Sequence, residues 1–224
     1  MSTLHLEPLD LAAIRGRERH TSFALPDAVE RGAGLLLLAL ASPVIAASAV
    51  TAAALSRRSP FIAHLRVGRN GASIWVFKLR TLWPEGERVQ RGSRWLERVI
   101  ADPEEDGKIP HDPRITSRFA AFCRRHSIDE LPQLWHVARG EMALVGPRPL
   151  TRGEVDRYYG ADAAELLSVK PGLTGLWQVY GRSAIRFPRR AQLDLRLVRT
   201  LTARLYLRIL ARTIPAVIRG SGAW

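Results

Sequence analysis

The stretch GAGLLLLALASPVIAASAVTAAALS, Gly32 to Ser56, contains no charged residue, and it is long enough to cross the hydrocarbon core of a bilayer. Two features argue against a straight span. Ser42-Pro43 lies near its middle, where proline deletes a helical hydrogen bond and restricts the residue before it. Arg31 precedes the stretch and Arg57 with Arg58 follows it, so the positive-inside rule holds both ends on the cytoplasmic side. Each arm beside Pro43 has about twelve residues, or ~18 Å of helix, short of the ~30 Å hydrocarbon core. A helix-break-helix that enters and leaves by one face fits both facts, with the freed backbone groups met by Ser42 or by neighbouring protein. A kinked single span and a buried helix of a soluble core are the alternatives, and the Ala-rich arm AASAVTAAAL keeps the last one open. The stretch begins too late, behind too polar a leader, for a signal peptide. The expected organisation is a flexible leader over 1–26, a re-entrant membrane anchor over 27–58 and a cytoplasmic catalytic domain over 59–224.

A chain of 224 residues suits one domain with an appendage. It carries 34 Lys+Arg against 21 Asp+Glu, a net charge of +13, and nearly all the cations are Arg. Such an excess calls for an anionic partner: nucleic acid, an acidic membrane face or a phosphorylated substrate. The planar donor fork of Arg matches phosphate oxygens, although a compositional bias toward Arg explains the excess equally well. Cys123 is the lone cysteine, which excludes an internal disulfide and a Cys-based metal cluster.

Asn70-Gly71 is a hairpin turn signal, and the run Ser73 to Leu79 alternates and is rich in β formers, so a short β-hairpin is expected. Trp83 to Pro110 reads as a loop with a helical piece around Arg94 to Ile100. HDPRITSRFAAFCRRHSIDELPQLWHVARG reads as turn, helix, break, helix; MALV follows as a strand. KPGLTGLWQVYGR, Lys170 to Arg182, reads as turn chemistry and then a short strand. From Arg190 to Arg219 one amphipathic helix is expected, with Leu197, Leu201 and Leu205 on one face and Arg204, Arg208 and Arg212 on another. It suits either an anionic membrane surface or core packing with a solvated face. The fold class is mixed α/β, helix-rich, with short strands and interfacial helices.

Two like charges, Asp129 and Glu130, stand together in SIDELPQLW within this basic chain. The plain reading is a helix start: Asp129 as N-cap, Pro132 in the first turn, and Ser127 with Glu130 as a capping box. Four basic elements weigh against it: KLRTL with Lys78 and Arg80, DPR with Arg114, GPRP with Arg148, and YGR with Arg182. Each sets a cation at a turn or strand end. Singly they are weak signals. Together with an acidic pair they suggest a diphosphate site, because Mg²⁺ is commonly held by one or two carboxylates plus substrate phosphate oxygens. No Walker A loop, G-x-G-x-x-G, G-x-S-x-G elbow or paired-His metal spacing occurs.

The combination of an apolar stretch with Ser-Pro, KLRTL, DPRIT, DELPQLWHVARGEMALVGPRP, KPGLTGLWQV and LDLRLV resembles the bacterial sugar transferase family, the monotopic phosphoglycosyl transferases, from about Pro26 to the C-terminus. The resemblance implies transfer of a hexose-1-phosphate from a nucleoside diphosphate sugar, expected to be a UDP-hexose, to polyprenyl phosphate, with Mg²⁺. It implies that Asp129 and Glu130 are the catalytic and metal-holding pair. Asp129 would be the nucleophile that forms an aspartyl phosphosugar intermediate, and Glu130 would hold Mg²⁺ or orient its neighbour. It also implies that Lys78, Arg80, Arg114, Arg148, Gln178, Arg182 and Asp194 bind substrate, and that Ser42 and Pro43 break a re-entrant helix. The expected location is the cytoplasmic face of the bacterial inner membrane, with membrane lipid as partner and no nucleic acid. Leu79, Ala143 and Ala120 stand where the family commonly has Phe, Ser and Gly, and one extra residue precedes the acidic pair. With no multi-span region expected ahead of the anchor, the chain resembles the small form of the family. A membrane-tethered nucleic-acid-binding protein and a scaffold that has lost catalysis are the competing readings. The first lacks a recognition motif, and the intact DELPQ and GPRP speak against the second.

Overall fold

A computed structural model describes residues 23–83, 96–99 and 114–220. Helix α1 (Asp27–Ser56) takes the whole apolar stretch as one continuous helix, so the expected break does not divide it in two. The reason is local. Pro43 lacks the N–H that Ala39 O would accept, and Ser42 Oγ donates to that same oxygen at 2.8 Å. With the orphaned acceptor satisfied, the helix runs on to Arg57, whose φ of 53° ends it.

Both ends of α1 rest on the rest of the molecule. Near its start Glu30 is buried, and Oε1 accepts from Leu144 N–H at 2.9 Å and from the Tyr206 hydroxyl at 2.8 Å. One turn later Gly34 meets Val137 so closely that a Cβ would lie 2.8 Å from Val137 Cγ1. Near its end Ser48, Ala49 and Ala52 are buried, and the Cys123 thiol is bonded to Ser48. The other side presents Leu35, Leu36, Leu40, Val44 and Val50 uncovered.

The expected hairpin forms from β1 (Phe61–Val67) and β2 (Ser73–Leu79), antiparallel from Phe61↔Leu79 to Val67↔Ser73. Asn70 and Gly71 supply the turn with φ of 56° and 78°. Strand β3 (Leu96–Val99) lies parallel to β1, giving the order β2-β1-β3. This corrects the helical piece expected over Arg94 to Ile100. A helical turn that short has no stability of its own, whereas the free edge of β1 offers hydrogen-bond partners. Residues 84–95 and 100–110 of that segment, and the leader through residue 22, lie outside the described residues.

Next come α2 (Arg118–Arg125), a 3₁₀ turn (Ile128–Gln133) and α3 (Leu134–Arg139), matching the expected helix, break, helix. The expected MALV strand is β4 (Ala143–Val145), which pairs parallel with β5 (Gly172–Thr174). Between them stand α4 (Arg152–Tyr158), opened by a Thr151–Glu154 capping box, and α5 (Ala163–Leu166). After β5 the chain forms α6 (Leu176–Tyr180) where a short strand was expected; the strand falls earlier, over Gly172–Thr174. The tail is two helices rather than one, α7 (Arg189–Thr200) and α8 (Ala203–Arg219). Leu201 leaves the helical region with ψ 118°, and Thr202 caps α8 by accepting from Leu205 N–H at 3.2 Å.

The main core gathers Val76, Val137, Met142, Leu144, Trp177, Leu197 and Ile209 from the hairpin, α3, β4 and the last three helices. A second cluster, around Val155, Tyr159 and Leu195, packs α4 on α7.

Candidate active site

The acidic pair enters through an unusual turn. Ser127 takes φ 54°, and the helix it opens is 3₁₀ without a side-chain cap. The capping box does not form because both of its members are engaged elsewhere. Arg182 donates an Nη–H to Ser127 Oγ at 2.6 Å. Glu130 Oε1 accepts from Arg148 at 3.2 Å and faces Lys78 Nζ at 3.4 Å. Asp129 is buried beside it, and its charge, after burial, helps to push the Cys123 thiol up to about 11. Lys78, Arg148 and Arg182 thus bring three cations to the acidic turn.

Arg148 is held by close backbone packing. A Cβ on Gly172 would lie 2.1 Å from Gly146 N, and one on Gly175 would lie 2.5 Å from Gly146 O. Only glycine allows these strands to approach so closely. GPRP and KPGLTG are therefore one interlocked unit, tied by Gly172 N–H to Pro147 O at 2.7 Å and Gly146 N–H to Thr174 O at 2.9 Å. The Arg148 guanidinium lies over the Trp177 ring, 5.7 Å from its centroid. Arg182, with φ 49°, donates to Arg125 O at 3.0 Å and Ala216 O at 3.1 Å, tying α2 and α8 to the acidic turn. Burial lowers its pKa while Glu130 and Asp129 pull the other way.

Several of these groups line a cavity of about 690 Å³. Its wall holds Glu130, Arg148, Arg182 and Gln178 together with Leu37 and Leu40 of α1 and Leu210, Ile214 and Ile218 of α8. Both polar atoms of the Gln178 carboxamide are buried without a hydrogen-bond partner, a group the fold itself leaves unsatisfied.

Not every expected residue is part of its wall: Asp129 and Lys78 are not, although Asp129 adjoins Glu130 in the chain and Lys78 Nζ lies 3.4 Å from Glu130 Oε1. Arg80 is buried and donates from Nε to Ser59 O at 2.7 Å, pinning the entrance to the hairpin. Arg114 accepts Trp83 N–H on its carbonyl at 3.0 Å and is not part of the wall. Asp194 is fully buried behind the wall. Its Oδ2 accepts from the Tyr159 hydroxyl at 3.1 Å and Trp177 Nε1 at 3.3 Å, and burial raises its pKa to about 7. In this arrangement it supports Trp177, and it accepts the backbone N–H of Arg148 directly. Sequence reading missed Trp177 and Arg190, both of which line the cavity. The available signal was the four-residue step from Arg190 to Asp194, which puts the two on one face of α7.

Residues 22–220 match the sequence profile described as Bacterial sugar transferase. The chain belongs to that family. A relative named UDP-galactose-lipid carrier transferase, from Erwinia amylovora, is 41% identical over 173 residues, covering 74% of this chain and 35% of its own length. Exopolysaccharide production protein ExoY of Rhizobium meliloti is 38% identical over 170 residues, covering 74% and 73%. The UDP-glucose:undecaprenyl-phosphate glucose-1-phosphate transferase of Caulobacter vibrioides is 32% identical over 205 residues, covering 86% and 69%. This bacterial sugar transferase chain thus matches only about a third of the Erwinia protein's length.

Proposed function

We propose that this protein is a phosphoglycosyl transferase. In this reading it moves a hexose-1-phosphate from a nucleoside diphosphate sugar to polyprenyl phosphate, and releases the nucleoside monophosphate. The observation that carries the reading is the mixed wall of the cavity. Glu130, Arg148 and Arg182 line it together with uncharged side chains of α1 and α8, while Asp129 is the chain neighbour of Glu130 and Lys78 pairs with Glu130. Such a space suits a lipid that ends in phosphate together with a charged donor. The names of the Erwinia and Caulobacter relatives support the same pair of substrates.

In the reaction, an Asp129 oxygen attacks the β-phosphorus of the donor. A carboxyl O–P bond forms as the P–O bond to the nucleoside monophosphate breaks, and the monophosphate departs with the electron pair. An oxygen of polyprenyl phosphate then attacks the same phosphorus, and the Asp129 carboxylate is released. Splitting the transfer lets one nucleophile serve two unlike substrates in turn. Arg148 and Arg182 neutralise the charge on the transferred group, and Lys78 with Arg148 orients Glu130. Among the described residues no three metal-ligating side chains gather. Mg²⁺, if used, would be held by Asp129 and Glu130 with phosphate oxygens and water completing its shell, and would supply further neutralisation. We place α1 in the cytoplasmic face of the bacterial inner membrane as the anchor of the protein. Its polar contacts at the start, including Asp27 to Lys170 at 2.8 Å, and its packing on Cys123 near the end support both ends staying with the catalytic domain.

Mass spectrometry of protein incubated with a panel of UDP-sugars and Mg²⁺, without acceptor, is the test. The expected result is a hexose-phosphate adduct on Asp129 with release of UMP. Asp129→Asn should lose both the adduct and turnover; an adduct elsewhere, or full activity of that variant, overturns the assignment.

A further inference from the structure

We infer that Arg190 is a substrate-binding residue, forming with Arg148 a two-guanidinium seat for the phosphate groups of the nucleotide sugar. The inference rests on the phosphoglycosyl transfer reading and names a contact that reading did not require.

Arg190 stands at the start of α7 and is 8% exposed, yet it lines the cavity. Its Nε donates to Ile185 O at 2.5 Å, and its guanidinium lies over the Trp177 ring, 4.5 Å from the centroid. The same ring carries Arg148 at 5.7 Å. Among the described residues no carboxylate bonds the terminal nitrogens of Arg190. Glu154 and Asp194 attract it through space without a hydrogen bond to its terminal nitrogens: Glu154 Oε2 accepts from Thr151 N–H at 2.7 Å, and Asp194 Oδ2 accepts from Tyr159 and Trp177. Burial and the nearby Arg148 charge draw its pKa down to about 10, which leaves it protonated at neutral pH.

A buried guanidinium beside a second one, with no bonded counter-ion, is unfavourable unless an anion arrives from outside. Arg148 already holds Glu130, so the charge awaiting a partner is that of Arg190. The unsatisfied Gln178 carboxamide belongs to the same cavity and adds a donor and an acceptor. Arg190 is also preorganised. Its guanidinium lies 5.7 Å from the centroid of Phe187, which stacks on Tyr158 at 4.1 Å, and Arg157 covers Tyr158 at 5.4 Å. A side chain fixed in this way loses little rotamer entropy on gripping phosphate. The charge and donor fork suit a diphosphate better than a neutral sugar.

The test is steady-state kinetics of Arg190→Gln, Arg190→Lys and Arg190→Met with thermal midpoints measured alongside. Loss of one charge-assisted contact should raise KM for the nucleotide sugar about tenfold or more in Arg190→Gln. KM for polyprenyl phosphate and the thermal midpoint should hold, and Arg190→Lys should recover part of the loss. An unchanged donor KM, or equal rises for both substrates, overturns the proposal. If Arg190→Gln does not fold, Arg190→Met keeps the stem over Trp177 and is read by the same criteria. Should the wild type transfer no sugar phosphate at all, the proposed reaction fails independently. Calorimetric titration with UDP then decides the seat: weaker binding to Arg190→Gln than to wild type retains it, and equal binding removes it.

Discussion

Helices α1 and α8 are both largely apolar, both contain a proline, and both leave large aliphatic side chains uncovered, yet their charges are arranged differently. In α1 the charges stop at Arg31 and resume only at Arg57, so its exposed Leu35, Leu36, Leu40, Val44 and Val50 form a surface without interruption. In α8 the exposed Leu207, Ile214 and Ile218 alternate with exposed Arg204, Arg208 and Arg212. The first pattern matches hydrocarbon and the second matches an interface, where arginine stems lie along apolar surface and their heads stay wet. The two helices meet through one buried carboxylate, since Glu30 of α1 accepts from Tyr206 of α8 and from Leu144 N–H of β4. The extent of each uncharged surface is thus set by where charges stop, while the mutual position of the helices is set by a polar lock that neither pattern reveals.

The largest effect should come from breaking that lock. Glu30→Ala leaves two buried donors without an acceptor, and at about 1–3 kcal/mol each the loss should be about 2–6 kcal/mol of stability in detergent. Because β4 leads directly into Gly146-Pro147-Arg148, turnover should fall with it. Tyr206→Phe removes one donor and leaves Glu30 on Leu144 N–H, so it should cost about 1 kcal/mol. The double variant should cost less than the sum of the two. Strict additivity, or a Glu30→Ala loss no greater than that of Tyr206→Phe, would mean that apolar packing alone joins the helices.

A smaller effect should separate the two prolines. In α1, Ser42 Oγ serves Ala39 O, the acceptor that Pro43 abandons, whereas Ile214 occupies the matching place before Pro215 in α8 and has no hydroxyl. Ser42→Ala should therefore lower stability in nanodiscs by about 0.5–1.5 kcal/mol. In a Pro43→Ala background, where residue 43 again donates to Ala39 O, it should be nearly silent. An equal loss in both backgrounds would show that the serine acts elsewhere.

Features set by neighbouring residues were legible in the sequence. Asn70-Gly71 marked the hairpin, an uncharged run marked α1, and Ser42 was matched to the groups freed by Pro43. Features set by distant partners were not. Leu96–Val99 is a strand because β1, about thirty residues earlier, offers an edge, and Leu176–Tyr180 becomes a helix once Gly175 has packed on Gly146. The Ser127–Glu130 capping box was sound as a local pattern. It yields to Arg182, Lys78 and Arg148, none of them within its own turn. For the same reason Asp194 looked like a binding residue while Arg190 went unmarked. Burial decides which of the two lines the cavity, and burial depends on α6 and α4 as well as on α7.

The smallest effect concerns the seat of α1 rather than the helix itself. Its Gly34 packs on Val137 of α3, and the preceding residue, His136, ties α3 to the hairpin. His136 Nε2 accepts Phe77 N–H at 3.1 Å, and Nδ1 is bonded to Glu141 Oε2 at 2.6 Å. These roles require a neutral ring with its proton on Nδ1. Burial lowers the His136 pKa from 6.5, with Glu141 opposing it. Between the lowered folded value and the unfolded value near 6.5, the unfolded chain binds more protons, so stability rises with pH. The contribution is fully present above about 6.5 and is lost as the pH falls through the folded value, where a protonated Nε2 can no longer accept from Phe77. Thermal midpoints measured from neutral pH downward should therefore drop more steeply for wild type than for His136→Gln, whose amide cannot titrate. Parallel profiles would show that acid loosens the α3 seat through other groups, and would leave Gly34 packing and the Glu30 lock as what holds α1 in place.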